Sequence, residues 1–192
     1  CGGFPKSDLT ETIIEAINKT AAAGIRIVGP QSLGLMTPSE GLNLSYLPAL
    51  PPAGEVGLVS QSPGLSCTII DYVTNAQCGF SHVIDPGFEQ VLTVADYVDM
   101  LAFDRKTRCI VLYLESFQQP RKLLSAIRLA AANKPVILLK GGQTPGSADI
   151  VINNSGARED EDGVMERALV RAGALLVTSL KELNYAVQAF AM

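Results

Sequence analysis

The sequence predicts a doubly wound α/β fold, a parallel sheet of five strands in the order 2-1-3-4-5 with helices on both faces. Three observations lead to it. From Ala53 onward, short apolar runs alternate with stretches of helical period, as βα units require. The run Cys109-Ile110-Val111-Leu112-Tyr113-Leu114 is apolar almost throughout, which suits a strand covered on both faces. The run Val56 to Val59 passes at once into the helical pattern Leu65, Ile69, Ile70, Val73, a sharp strand-to-helix turn. Right-handed crossovers then leave 2-1-3-4-5 as the usual order for five such units.

The elements follow in order. A first helix is expected from about Leu9 to Ala23, capped by Ser7 or Asp8, with Ile13, Ile14 and Ile17 as its apolar stripe and Gly24 ending it. Ile25-Arg26-Ile27-Val28 reads as a strand leading into Gly29-Pro30-Gln31-Ser32-Leu33-Gly34. A lone helix and strand cannot bury both their faces. Residues 1–50 are therefore expected to be the tail of a domain whose earlier strands lie outside this chain, and residues 51–192 a second domain. The Pro-rich stretch from Leu47 to Gly54 is the connector.

Beyond it, a helix is expected from Pro63 to about Asn75 and a strand from Ser81 to Ile84. Asp85-Pro86-Gly87 is a turn before a helix from Thr93 to Ala102. Cys109–Leu114 is the third strand, followed by a helix from Pro120 to about Ala132. Pro135 to Leu139 is the fourth, running into Lys140-Gly141-Gly142-Gln143-Thr144. A helix from about Asp160 to Ala172, a strand Leu175 to Val177 and a helix Leu180 to Phe190 complete the chain.

Composition narrows the function. With 47% hydrophobic and 18% charged residues, the 192-residue chain can bury a sizeable core. A net charge of −4 without a basic run argues against nucleic acid as a partner. No apolar stretch approaches the roughly 20 residues that span a bilayer, and no basic-then-apolar leader opens the sequence. Cys1, Cys67, Cys78 and Cys109 lack metal-ligand spacing and read as free thiols of a reducing cytosol, so a cytoplasmic location is expected. His82 is the single histidine, so no His-rich metal centre is expected.

Candidate chemistry gathers at strand ends. The turn Ser60-Gln61-Ser62-Pro63-Gly64 opens a helix, whose first N–H groups and dipole, with the hydroxyls of Ser60, Ser62 and Ser66, can cradle an anion. Ser62 suits the N-cap and Pro63 the first helical position. The same turn also reads as a capped βα turn that binds nothing, and spacing does not separate the two. In the 2-1-3-4-5 order the turn shares a crevice with Glu115-Ser116, and Lys140 to Thr144 approach it from one side. Glu115 reads as a group orienting a base, or as a solvated strand-end charge or helix cap. Lys140-Gly141-Gly142 can meet an anion but lacks P-loop spacing. Asn153-Asn154-Ser155-Gly156 reads as a polar turn.

Four stretches together carry a resemblance: Gly29-Pro30-Gln31-Ser32-Leu33-Gly34, Val59-Ser60-Gln61-Ser62-Pro63-Gly64, Leu112-Tyr113-Leu114-Glu115, and Lys134 to Gly142. In this order they resemble the signatures of the nucleoside-diphosphate-forming acyl-CoA synthetases, which include succinyl-CoA synthetase α chains and ADP-forming acetyl-CoA synthetases. The resemblance spans essentially the whole chain. It implies the end of a Rossmann-like CoA-binding domain followed by a flavodoxin-like ligase domain. It also implies CoA or acetyl-CoA as ligand at Gly29, Pro30, Gln31 and Ser32, a phosphate at Ser60 to Gly64, and a homo-oligomer. ATP and Mg would enter through an ATP-grasp domain absent from these residues.

In that family a histidine on a swinging loop carries phosphate, within Ser-His-Thr-Gly-Ala or Gly-His-Ala-Gly-Ala. The matching stretch here is Asn153-Asn154-Ser155-Gly156-Ala157, with Asn154 at the histidine's place. An amide cannot form the N–P bond of an imidazole. His82, in a strand far along the sequence from that loop, is not expected to substitute. Gln31 replaces an asparagine and Pro63 a glycine of the family pattern. The asparagine resembles bacterial protein lysine acetyltransferases, in which a synthetase-like region is joined to a GCN5-related domain. That resemblance implies an inactive ligase serving as an acetyl-CoA sensor. Two other readings stand beside it: a working synthetase with Glu115 as relay, and a scaffold with a vestigial ligase fold.

Overall fold

The computed structural model describes residues 8–141 and 163–191. The elements are α1 (Asp8–Ala22), β1 (Gly34–Thr37), a single 3-10 turn (Pro38–Glu40), β2 (Leu42–Ser45), β3 (Ala53–Ser60), α2 (Pro63–Asn75) and β4 (Phe80–Ile84). They continue as α3 (Val94–Phe103), β5 (Cys109–Leu114), α4 (Pro120–Ala131), β6 (Val136–Lys140), α5 (Val164–Arg171), β7 (Leu175–Val177) and α6 (Leu180–Ala191). Each helix expected after Ala53 is present, and the strand limits of Cys109–Leu114 and Leu175–Val177 coincide with expectation.

The sheet runs β2-β1-β4-β3-β5-β6-β7. Its parallel part, β4-β3-β5-β6-β7, is the predicted 2-1-3-4-5 order. All six residues of β5 are buried, which is why its sequence shows no polar alternation. The core lies in two layers. Val98 and Leu101 of α3, Ile127 of α4 and Leu169 of α5 pack with Val59, Leu112 and Leu138 on one face. Ile69 and Val73 of α2 with Leu183 and Val187 of α6 pack on Leu58, Val111 and Ile137 on the other. Odd and even strand positions thus serve opposite layers, as period-two geometry requires.

The sheet holds two strands more than expected. β1 pairs antiparallel with β4 (Leu35 with Ile84, Met36 with Val83), and β2 pairs antiparallel with β1. These four-residue strands bracket the Pro38–Glu40 turn and are too short to show a period. The strand expected at Ile25-Arg26-Ile27-Val28 is corrected: these residues are irregular, and Ile25 is 55% exposed. β1 occupies the edge beside β4, so that apolar run finds no strand partner among the described residues. The connector at 46–52 joins β2 to β3, and residues on both sides of it contribute to one sheet.

His82 lies on β4, with Nδ1 3.2 Å from Thr37 Oγ1 and Nε2 3.3 Å from Asp104 Oδ2. It ties β1 to the end of α3. Lys106 adds an ion pair to Glu40 at 2.8 Å, fastening the same hairpin. Both lysine and glutamate are well exposed, so that pair contributes little on its own.

The hairpin depends on close backbone approach at Gly34, where φ is +111°. A Cβ there would sit 2.0 Å from Leu44 O and 2.8 Å from Ser45 Cα. Gly34→Ala is therefore expected to cost about 2–4 kcal/mol. The check is urea unfolding, where the midpoint should fall without a change in slope; an unchanged midpoint would refute this packing.

Candidate functional site

The three central strand ends open onto a crevice of about 320 Å³. Crossovers leave β3 and β5 toward opposite faces, so among the described residues no helix covers the sheet between their C-termini. From the β3–α2 turn come Gln61, Ser62, Pro63 and Gly64, and from the end of β5 come Glu115, Ser116 and Gln118. The loop after β4 adds Gly87, Phe88 and Glu89, and Gln31 reaches in from the 29–32 loop. The volume lies toward the low end of the roughly 300–1,000 Å³ usual for small-molecule sites.

The β3–α2 turn largely satisfies itself. Ser62 is the N-cap, its hydroxyl accepting from Leu65 N at 3.4 Å. Ser60 Oγ donates to Ser62 O at 3.1 Å, and Ser66 Oγ donates to the same carbonyl at 2.9 Å. Ser60 and Ser66 are fully buried beneath the turn. Of the three hydroxyls expected at an anion cradle, only that of Ser62 belongs to a residue lining the crevice. Pro63 brings no N–H, so α2 presents fewer donors than an unmodified helix start.

Gln61 instead links the strand ends. Its backbone N–H donates to Tyr113 O at 3.1 Å. Its side-chain Oε1 accepts from Glu115 N at 2.6 Å and Ser116 N at 3.0 Å. Its Nε2 donates to Glu89 Oε1 and, at 3.2 Å, to Ser116 O. One carboxamide thereby serves the last peptide groups of β5 and a carboxylate from the loop after β4.

Glu115 projects into the crevice, with Tyr113 Oη donating to its Oε1 at 3.4 Å. Burial, and then the neighbouring Glu115 charge, push the Tyr113 hydroxyl far above its ordinary range, so it remains a donor. Lys140 donates to Glu115 O at 3.2 Å and Gly141 O at 2.7 Å, with its ammonium 5.4 Å from the Phe117 ring centroid. It thus ties the end of β6 to the chain just after β5 through backbone carbonyls.

The 29–32 loop is laced to the turn after β4. Asp85 is buried, and its carboxylate accepts from Leu33 N at 2.8 Å and Gly87 N at 2.9 Å. Ser32 Oγ donates to Asp85 O, and Phe88 N donates to Pro30 O at 2.8 Å. At Gly87 (φ +62°) a Cβ would lie 2.3 Å from Pro30 O, so the approach of the two loops requires glycine. Gly29, Pro30 and Ser32 hold this docking, and Gln31 is the member of the expected CoA stretch that lines the cavity.

Glu89 went unnoticed in the sequence because an acid in a loop ahead of a helix reads as a solvated charge. In the structure its backbone is left-handed (φ +52°) and its Oε2 accepts from Val94 N at 2.9 Å, capping α3. Burial raises its pKa, while the Val94 and Gln61 donors pull it back and Asp96 adds to the rise. Asp85 is likewise raised by burial and pulled down by Leu33 and Gly87. Asn154, with Gly142, Gln143 and Thr144, lies outside the described residues. Among the described residues no group of three or more His, Cys, Asp or Glu side chains is arranged to hold a metal ion. No helix among them is long and apolar enough to cross a membrane.

Comparison with known proteins places this geometry in context. Residues 53–190 match the model of the succinyl-CoA ligase like flavodoxin domain. The ADP-forming acetate–CoA ligase of Methanocaldococcus jannaschii is 32% identical over 159 residues, covering 83% of this chain and 22% of that protein. The ADP-forming 4-hydroxybutyrate–CoA ligase of Nitrosopumilus maritimus is 29% identical over 163 residues, covering 83% of this chain and 23% of that one. The chain thus spans less than a quarter of the length of these two relatives. In fold, it superposes on the dinucleotide forming acetyl-coenzyme A synthetase 1 of Ca. Korarchaeum cryptofilum, solved with phosphate and ADP. The TM-score is 0.83 at 24% identity, over 96% of this chain and 40% of the other.

Stability against pH tests the buried acid. A carboxyl raised on folding contributes stability that is complete below its unfolded pKa and lost as pH rises through the folded value. Glu89 rises from an ordinary 4.5, and Glu89→Gln has no such loss. As pH rises from 4.5 through the raised folded value, the native chain is expected to lose stability relative to the variant. Urea unfolding of both across that window decides it; parallel pH curves would exclude a raised Glu89.

Proposed function

The chain belongs to the succinyl-CoA ligase-like flavodoxin domain family, and on that premise we propose that it is the acyl-CoA-handling module of an ADP-forming acyl-CoA synthetase. The observation that carries the reading is the convergence of Gln31, the Gln61–Gly64 turn and Glu115 on one crevice, although they lie on three separate stretches of sequence. Relatives named as ADP-forming CoA ligases support it. The reaction is ATP, a carboxylate and CoA giving ADP, phosphate and the acyl-CoA.

In this reading the crevice takes the acyl group and thiol end of CoA, with Gln31 at its rim and Phe88 as an apolar wall. Ser62 Oγ and the free face of the α2 turn meet the phosphoryl oxygens. Glu115 carries the relay, since a carboxylate can form an acyl phosphate where an amide at Asn154 cannot form a phosphoramidate. Residues 1–50 contribute the end of the CoA-binding domain. ATP and Mg are brought by an ATP-grasp domain elsewhere in the parent protein, which works in the cytoplasm as a homo-oligomer.

A second reading rests on Asn154 itself. With the relay lost, the crevice would sense acetyl-CoA as the regulatory region of a protein lysine acetyltransferase. The relatives' names favour the ligase reading over this one.

The test is ADP release by the complete parent protein given ATP, acetate and CoA. Turnover is expected, and Glu115→Gln should lower it at least about 100-fold. Absence of turnover with acetyl-CoA binding intact would replace the ligase reading with the sensor. Turnover appearing only in Asn154→His would identify the missing relay as the cause.

A further inference from the structure

One crevice side chain that the proposed chemistry does not use is held at both of its oxygens. Glu89 has both oxygens engaged in different directions: Oε2 accepts from Val94 N at the start of α3, and Oε1 accepts from Gln61 Nε2. An anion at that place is favoured by the α3 dipole, and the ten-residue helix anchors it. We propose that Glu89 is a positioning residue, which holds the Gln61 carboxamide in the one orientation that fixes the Glu115–Ser116 backbone and so the place of the Glu115 carboxylate.

A carboxamide is asymmetric. Gln61 can receive the N–H groups of Glu115 (2.6 Å) and Ser116 (3.0 Å) only while its oxygen faces β5. Its NH2 group must then find acceptors, which are Glu89 Oε1 and Ser116 O. Reversing the amide would set NH2 against two N–H donors and its oxygen against a carboxylate, which leaves four groups mismatched. Glu89 therefore acts through Gln61, not on a substrate. Through Gln61 it ties the loop after β4 to the ends of β3 and β5. Glutamine at position 89 puts an NH2 group where one of the two carboxylate oxygens stands, so either Val94 N or Gln61 Nε2 meets a donor instead of an acceptor.

The consequence for catalysis rests on the ligase reading, but the positioning itself is measured without turnover. In the 192-residue chain, the Gln61 side-chain amide and the Glu115 and Ser116 backbone amides are followed by NMR. In Glu89→Gln these three sets of resonances are expected to move while the sheet and α6 amides keep their dispersion. Movement confined to Val94 and its helix neighbours would overturn the proposal, leaving Glu89 as a helix cap only. Should the variant not fold, the unmodified chain serves. There the Gln61 and Glu115 amides are expected to titrate together with the Glu89 carboxyl carbon, at a pH above 4.5. Asp96, paired to Lys122, is the charged neighbour that acts on Glu89, and its own carbon resonance separates its titration from that of Glu89. Titration of Glu89 with those amides unmoved overturns the proposal equally. In the complete protein, Glu89→Gln is expected to lower kcat about 100-fold with KM for CoA little changed. Amides that move in a protein with no turnover would sink the ligase reading and leave the positioning intact.

Discussion

Parallel pairing of β3 between β4 and β5 is the constraint on which the rest depends. Each parallel neighbour demands a right-handed crossover, and because the chain steps from β3 to β4 in one direction and from β5 to β6 in the other, those two crossovers lie on opposite faces. That places α2 in one layer and α3 and α4 in the other, and it opens a crevice at the strand ends between them among the described residues. The crevice is thus a by-product of burying β3 and β5. Their interiors have no polar periodicity because both faces are filled, and the polar residues are displaced to the ends, where the chain must turn.

What the ends do with their polar groups separates this site from a simple phosphate cradle. The β3–α2 turn spends the Ser60 and Ser66 hydroxyls on its own Ser62 carbonyl. The carboxylates of Asp85 and Glu89 are met by backbone N–H groups and an amide. These bonds stabilise the charged forms, yet burial still outweighs them at both residues. The crevice is stiffened by such local bonds, so loops from β4, β3 and β5 keep their spacing without a crosslink among the described residues.

The hairpin of β1 and β2 adds a second dependence. Once β1 covers the edge of β4, the 29–32 loop is brought against Asp85 and Gly87, and Gln31 enters the crevice. The polar bonds of His82 and the Lys106–Glu40 pair secure that hairpin from the opposite side. The single histidine is therefore engaged in holding strands, and it is not among the cavity's lining residues.

The sequence by itself determined the doubly wound order, the strand of Cys109–Leu114, the helix beginning at Pro63 and the meeting of Gln61 with Glu115 at one crevice. Those follow from apolar runs, helical period and handed crossovers, which are local or topological properties. Tertiary structure alone decided that Ile25–Val28 is not a strand, because β-structure needs a neighbour and β1 had taken the place. It also decided the inward turn of Ser60 and Ser66, the glycine contact of Gly87 with Pro30, and the role of Glu89. In each case the deciding partner lies on another segment of the chain: Glu89 is 28 residues from Gln61 and Asp85 is 52 from Leu33. Residue type records that a group can donate, accept or turn; which group it meets is set only when the layers close.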